Sequence, residues 1–261
     1  MKDVIAGVLN KAIDDEIIQA NPAHRLGKII RIKERSQIID PLTSIELSSL
    51  LEAVHTHFPK DYPLFLLLAR TGMRIGEALA LKWIDIDFSG RFIDVKRSTV
   101  RGKISTPKNG KPRRVDMSRQ LTETLKRHLQ QSKKKGFALG LGEVPEYVFT
   151  NENGAPLDKD NWRSRVFNKA LRKAELRRIR IHDLRHTYAT LRIAKGDNIA
   201  DVSNQLGHHS VKLTMDVYYH WIPGKKKSEV DGLDDRSFLL PSAPQVHPEL
   251  PENEKRASHL G

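Results

Sequence analysis

Residues 62–69 read YPLFLLLA, the longest largely apolar run in the chain. It falls far short of the roughly 20 residues that a membrane-spanning helix needs. A short run that is apolar on every side predicts a helix buried in a globular core. Thr71-Gly72 follows it, and Gly72 can supply the left-handed stop. Upstream, Thr43-x-x-Glu46 spells a capping box, with Leu47, Leu50, Leu51 and Val54 following at helical spacing. Downstream, MRIGEALALKW (73–83) predicts a further helix with Ile75, Ala78 and Leu79 on one face.

The punctuation elsewhere divides the chain into more helices around a small β element. Ile5, Val8, Leu9, Ala12, Ile13 and Ile17 predict a helix over 1–20, ended by Asn21-Pro22 because the residue before proline is pushed out of helical geometry. Residues 23–40 are basic and irregular, as a linker would be. RFIDVKRS (91–98) alternates and RRVDM (113–117) reads as its partner strand, with an Asn109-Gly110 turn signal between them. Ser118 is placed to cap a helix through about 131, and EYVFT (146–150) reads as a short strand. Helices over 160–176, 182–195, 198–206 and 211–221 complete the body, with Gly207 as a stop. Past Gly224 the chain is rich in proline and charge and reads as a flexible tail. The expected class is α+β, mainly α-helical, with a small antiparallel β-sheet or hairpin.

Charge narrows the partner. The chain of 261 residues carries 45 Lys and Arg against 32 Asp and Glu, a net charge of +13. The surplus lies in the folded body, because the tail beyond Gly224 holds six basic residues against seven acidic ones. Such a surface favours a polyanion through phosphate contacts and counterion release. The absence of cysteine excludes disulfides and thiolate chemistry and suits a reducing compartment. The N-terminus lacks a signal-peptide pattern, so a protein of the cell interior with no membrane association is expected.

Three short stretches carry candidate chemistry. In HDLRHTYAT (182–190), His182 and His186 stand four apart, as a zinc pair on a helix would. Asp183 stands where a metalloprotease helix carries Glu, and Arg185 would set a fixed positive charge beside the metal. A polar helix start is the plainer reading. A third reading pairs Arg185, whose planar fork suits phosphate oxygens, with His182, which can move a proton near neutral pH. In ARTGMRIGEALAL, Arg74 follows the glycine break at a helix start, a setting that favours anions, and Glu77 is placed to brace an arginine or the backbone. In LGHHSVKLTMDVYYH, His208 follows the Gly207 stop and Tyr218 stands ten residues later.

The order Arg74-x-x-Glu77, His182-x-x-Arg185, Leu206-Gly207-His208 and Thr214-x-x-x-Tyr218-x-His220 resembles the tyrosine recombinases, the phage-type integrases. The likeness covers about residues 40–222. It implies the catalytic domain of the DNA breaking-rejoining enzymes over 36–222. It further implies a C-terminal remnant of a core-binding domain and linker over 1–35, and a flexible tail over 223–261. By the same resemblance Tyr218 is the nucleophile that forms a 3′-phosphotyrosyl bond. Arg74, Arg185 and His208 bind the phosphate oxygens, His182 is the general base, and a hairpin lysine protonates the leaving 5′-oxygen. Lys108 matches that lysine best, with Lys103 and Lys111 as rivals; Tyr219 rivals Tyr218.

No cofactor and no metal are implied, since the arginines do the charge work of a cation and the phosphotyrosyl bond keeps the energy of the broken link. The implied partners are double-stranded DNA and further copies of the chain, a monomer in solution forming a tetramer on synapsed DNA. Accessory DNA-bending proteins belong to the same picture. The implied location is the cytoplasm, at the nucleoid, in a bacterial or phage setting. Residues 235–241, DRSFLLP, are expected either to dock on a neighbouring protomer or to form a disordered end. Three alternatives stay open: a type IB topoisomerase-like relaxing enzyme, a non-catalytic DNA-binding regulator, and a zinc hydrolase built on His182 and His186.

Overall fold

The computed structural model of the chain describes residues 2–23, 39–100, 103–105, 112–138, 140 and 142–223. These fall into two compact units, one through Tyr188 and one from Ala189.

The first unit opens with α1 (Lys2–Asp14). This helix ends well before Asn21-Pro22, where the sequence predicted its end. Glu16 adopts a left-handed φ of 59°, and the amides of Glu16 and Ile17 return to the carbonyls of Ile13 and Ala12, both at 2.9 Å. That pair of bonds closes the helix at Asp14. Val4, Ile5 and Val8 of α1 are exposed. Helix α2 (Ser44–His57) begins with the predicted capping box: Thr43 Oγ1 accepts from Glu46 N, and Glu46 Oε2 accepts from Thr43 N at 2.7 Å.

Helix α3 (Tyr62–Thr71) is buried from Pro63 through Ala69, as its apolar run predicted. Gly72 stops it in the left-handed conformation, φ 61°, with its N–H returned to Leu68 O at 3.1 Å. A side chain there would clash with the backbone, which is why glycine is favoured. Phe65 of α3 meets the rings of Trp162 and Phe167 at 4.9 and 5.8 Å between centroids. Trp162 Nε1 donates to Asp61 Oδ1 at 2.8 Å, tying that aromatic cluster to the start of α3.

Helix α4 spans only Ile75–Leu79, shorter than the predicted 73–83. The next backbone groups are taken by another segment: Val148 N–H donates to Leu81 O at 2.9 Å and Trp83 N–H to Glu146 O at 3.3 Å. Asp85 then accepts from Lys82 N and opens a 3-10 turn, Trp83–Asp85. For the same reason the expected strand 146–150 reduces to isolated bridges, Lys82 with Tyr147 and Thr150 with Pro156: the partner at Lys82 turns away before a ladder can form.

The β element has two parts. Strands β1 (Ile86–Asp87), β2 (Phe92–Val95) and β5 (Arg113–Asp116) form an antiparallel sheet in the order β1-β2-β5. Ile93 and Val115 face each other in register and are buried. On the other face the Arg114 guanidinium lies 3.7 Å from the Phe92 ring centroid. The predicted pairing of 91–98 with 113–117 is therefore present, but the first strand breaks after Val95, where Arg97 turns back to pair with buried Asp85. A separate hairpin, β3 (Ser98–Val100) with β4 (Lys103–Ser105), is inserted between them. The Asn109-Gly110 turn, Lys108 and Lys111 lie outside the described residues.

Helix α5 (Arg119–Ala138) continues past the expected end near 131, with Leu121 and Leu125 buried. Next come α6 (Lys159–Trp162), a π turn over Arg163–Phe167, and α7 (Asn168–Lys173), which packs on α2. Helix α8 (Ile181–Ala194) carries HDLRH and runs across the boundary at Tyr188. The second unit continues with α9 (Ile199–Leu206), α10 (Val211–Tyr218) and a 3-10 turn over Tyr219–Trp221. Gly207 caps α9 with φ 68°, as predicted. The tail beyond residue 223, including 235–241, lies outside the described residues.

Candidate active site

In the first unit, α3 ends at Gly72 and α4 begins after Arg74, so two residues of extended chain set the arginine at a helix start. Arg74 N–H donates to Glu77 Oε2 and Arg74 Nη1 to Glu77 Oε1, both at 2.9 Å. Glu77 is 1% exposed. It also receives Arg113 from β5, with Nη1 at 3.0 Å from Oε1 and Nη2 at 2.7 Å from Oε2. Burial alone would discourage its charge, but the Arg113 bonds and charge, joined by those of Arg74, outweigh it and hold the carboxyl at about 2. Each oxygen accepts two donors, which suits the bracing role expected of Glu77. Arg113 was not singled out in the sequence, because nothing local marks a partner 36 residues from Glu77.

Gly76 lies between these residues and explains how the inserted hairpin sits against them. A Cβ at Gly76 would come within 2.5 Å of Thr99 O and 2.9 Å of Ser98 Oγ. Strand β3 therefore passes directly over the first turn of α4, at a distance only glycine allows. The backbone of Lys103 belongs to β4, paired with Val100.

The HDLRH motif forms the first turns of α8. Arg185 is 3% exposed and Nη1 donates to Gly72 O at 2.8 Å. This bond brings the second arginine motif against the backbone two residues from Arg74. Asp183 is held by Arg180, whose N–H and Nη2 donate to it at 2.7 and 2.8 Å. Thr187 Oγ1 donates to Asp183 O at 2.8 Å and accepts from Leu42 N at 2.9 Å, fixing the motif to the segment before α2.

His182 keeps an accessible edge, and its ring stands edge-on to His186 with centroids 4.9 Å apart. Its pKa is pulled down to about 4, first by partial removal from water and then by His186, Arg185 and Arg74. His186 is also shifted down, chiefly by desolvation. His182 is therefore neutral near pH 7 and can accept a proton. Among the described residues no group of three or more His, Asp or Glu is arranged to hold a metal ion, whereas a structural zinc site takes four ligands and a catalytic one three.

In the second unit, Gly207 turns the chain so that His208 N–H closes on Ser203 O at 3.1 Å. The His208 ring meets α10: Nδ1 lies 2.7 Å from Thr214 Oγ1. Ser210 caps that helix, its Oγ accepting from Leu213 N. Tyr218 ends α10 and is 1% exposed, packed edge-on to Trp221 at 6.3 Å. Its neighbour Tyr219 is 67% exposed. The sequence had not distinguished the two phenols by environment.

The chain matches the Phage integrase family over residues 16–223. It is 30% identical over 236 residues to the ICEBs1 integrase of Bacillus subtilis, covering 88% of this chain and 63% of that protein. It is 32% identical over 249 residues to a XerC-like tyrosine recombinase of Caldanaerobacter subterraneus, covering 87% and 62%. The chain thus spans less than two thirds of the length of these curated relatives. Among solved structures, the Tn1549 transposon integrase in complex with a circular intermediate DNA superposes with a TM-score of 0.68 at 21% identity, over 90% of this chain and 77% of that one. The catalytic domain of bacteriophage HP1 integrase superposes with a TM-score of 0.52 at 22% identity, over 74% and 94%. The fold is that of the tyrosine recombinase catalytic domain, mainly α-helical with small antiparallel sheets.

Proposed function

The chain belongs to the Phage integrase family, and on that premise we propose that it is a site-specific DNA recombinase that cuts and rejoins double-stranded DNA through a covalent 3′-phosphotyrosyl intermediate. The observation that carries this reading is the bond from Arg185 Nη1 to Gly72 O. It gathers the guanidinium groups of two distant motifs into one region, with a histidine whose proton affinity both arginines lower.

In the proposed reaction the Tyr218 oxygen bonds to phosphorus as the bond from phosphorus to the 5′-oxygen breaks. The phenol, with an ordinary pKa near 10, gives its proton to His182. Lys108 gives a proton to the departing 5′-oxygen. Arg74, Arg185 and His208 hold the non-bridging oxygens as negative charge builds there, an effect worth about 3 kcal/mol for each donor of this kind. A phosphodiester between the arginines adds a negative charge beside His182 and raises its proton affinity, so the base strengthens when substrate arrives. The link is resealed when a 5′-hydroxyl reverses these steps, and neither a metal nor a nucleotide is required.

With 1% exposure, the Tyr218 ring offers a duplex no approach. Cleavage then requires the end of α10 and the turn after it to shift outward when DNA binds. The spacing of Tyr218 to His220 favours it over the exposed Tyr219. The proposal divides the chain into the end of a core-binding domain with its linker (1–35), the catalytic domain (36–222) and a C-terminal tail (223–261). It places the protein in the cytoplasm at the nucleoid, acting as a tetramer on synapsed DNA with DNA-bending proteins as accessories. Among the described residues no helix is long and apolar enough to cross a membrane.

The test is to incubate the protein with a pool of nicked duplexes and map any adduct by mass spectrometry, then to ask whether strands from two different duplexes become joined. An adduct on Tyr218 with joined duplexes is expected. An adduct elsewhere removes the assignment of the nucleophile, and relaxation without joining removes the recombinase.

A further inference from the structure

We propose that Thr214 is a positioning residue: its hydroxyl fixes which ring nitrogen His208 presents to the phosphate and ties that histidine to the helix that carries Tyr218. This rests on the recombinase reading and adds a residue to it.

The backbone of His208 is set by the Gly207 stop and by its own N–H on Ser203 O. Both of these features act on the backbone and not on the ring. The ring itself meets Thr214 Oγ1, which lies 2.7 Å from Nδ1. Thr214 is 0% exposed, so its hydroxyl has no bulk water to turn to. A threonine in a helix usually has the option of bonding the carbonyl one turn back. Here its oxygen meets an imidazole instead.

That contact can be made by either neutral tautomer, and the proposed reaction needs one of them. A hydroxyl both donates and accepts, whereas a neutral imidazole carries one N–H and one bare nitrogen. When Thr214 donates to Nδ1, the ring proton resides on Nε2, and Nε2–H is the donor that a phosphoryl oxygen needs. With the proton on Nδ1, the lone pair on Nε2 would face the anion and repel it. Thr214 therefore supports the one neutral form that can stabilise the reaction.

Position on the helix adds a second effect. Thr214 and Tyr218 stand four residues apart on α10, one turn on the same face, and both are buried. The side chain that orients His208 and the phenol thus move as one body. Any outward shift of α10 is transmitted to the histidine, which couples nucleophile presentation to phosphate binding.

The test compares Thr214→Val, Thr214→Ser and His208→Ala in the full chain. Single-turnover adduct formation on nicked DNA is measured at saturating protein, and the Kd for intact DNA is measured in a Tyr218→Phe background. Thr214→Val keeps the volume but cannot donate. Loss of one buried hydrogen bond predicts an adduct rate lower by roughly tenfold, with the Kd nearly unchanged, and Thr214→Ser restores the rate. Independently of any variant, nitrogen-15 spectra of the neutral His208 ring should place the proton on Nε2. A proton on Nδ1, an unchanged rate in Thr214→Val, or no rescue by serine overturns the positioning role alone. An unchanged rate in His208→Ala removes the role of His208 at the phosphate and this inference with it.

Discussion

Arg113 holds both carboxylate oxygens of Glu77, at 3.0 and 2.7 Å, while Arg74 reaches the same two oxygens from the other side. A residue on a β-strand thereby sets the partner of an arginine at a helix start. Replacing Arg113 with Met should leave a fully buried carboxylate with Arg74 as its remaining arginine partner. Breaking a buried pair in this way costs about 3 kcal/mol, readable as a lower urea midpoint. Adduct formation should fall with it, because Arg74 follows Glu77. An unchanged midpoint would show that Arg74 alone satisfies the carboxylate.

The two phenols give a sharper test. Tyr218→Phe should abolish the covalent protein–DNA product and leave DNA binding nearly intact, whereas Tyr219→Phe should do neither. Gel analysis of the denatured product suffices. Loss of the adduct in Tyr219→Phe instead would reassign the nucleophile.

Gly76→Ala should be destabilising although alanine is the better helix former. The added methyl would lie 2.5 Å from Thr99 O, a backbone atom of β3 that cannot turn aside. Overpacking of this kind costs about 1–3 kcal/mol, against a helix-propensity gain of up to about 1 kcal/mol. A thermal melt reads the balance, and a higher Tm would contradict the close approach of the hairpin.

Stability should decline as the solution is acidified from pH 6.5 toward 4. His182 has its pKa lowered to about 4 in the folded chain, and His186 and His128, the latter on α5, are shifted in the same direction, largely by desolvation. The unfolded chain therefore takes up protons first, near its ordinary histidine value of 6.5, and is favoured as pH falls through this window. His182→Gln should flatten the slope of the urea midpoint against pH. An identical slope in that variant would assign the effect to other groups.

Adduct formation should persist in excess chelator. His182 and His186 are four apart on α8 but stand edge-to-face, and Arg185 lies between them in sequence. Loss of the product on chelation, with recovery on added zinc, would revive the metal reading.

Much of the fold was legible because its signals are local. The buried run 62–69, the Thr43–Glu46 box, and the stops at Gly72 and Gly207 each depend on a few neighbouring residues. The errors arose where a remote segment decided the outcome. Helix α4 is cut short because residues 146–148 take its next backbone groups, and the first strand breaks where Arg97 turns to Asp85. The early end of α1 depends on a glutamate at positive φ, a conformation that composition favours for glycine or asparagine. Of the residues proposed for catalysis, motif spacing marked Arg74, His182, Arg185, His208 and Tyr218. Arg113 was invisible, because it acts on a residue already marked and has no motif of its own; Thr214 stood in the motif that ends at Tyr218, but spacing alone gave no sign of its contact with His208. The contrast between Tyr218 and Tyr219 was equally hidden, since adjacent letters say nothing of which ring faces inward.

That contrast has a consequence for how such a protein behaves between events. With Tyr218 as the reactive group, its seclusion gives the molecule a quiet state in which chance collisions with chromosomes leave every strand whole. On the proposed reaction, reactivity would then arise only once bound DNA draws that ring out, and the safeguard would be written into the last turn of one short helix.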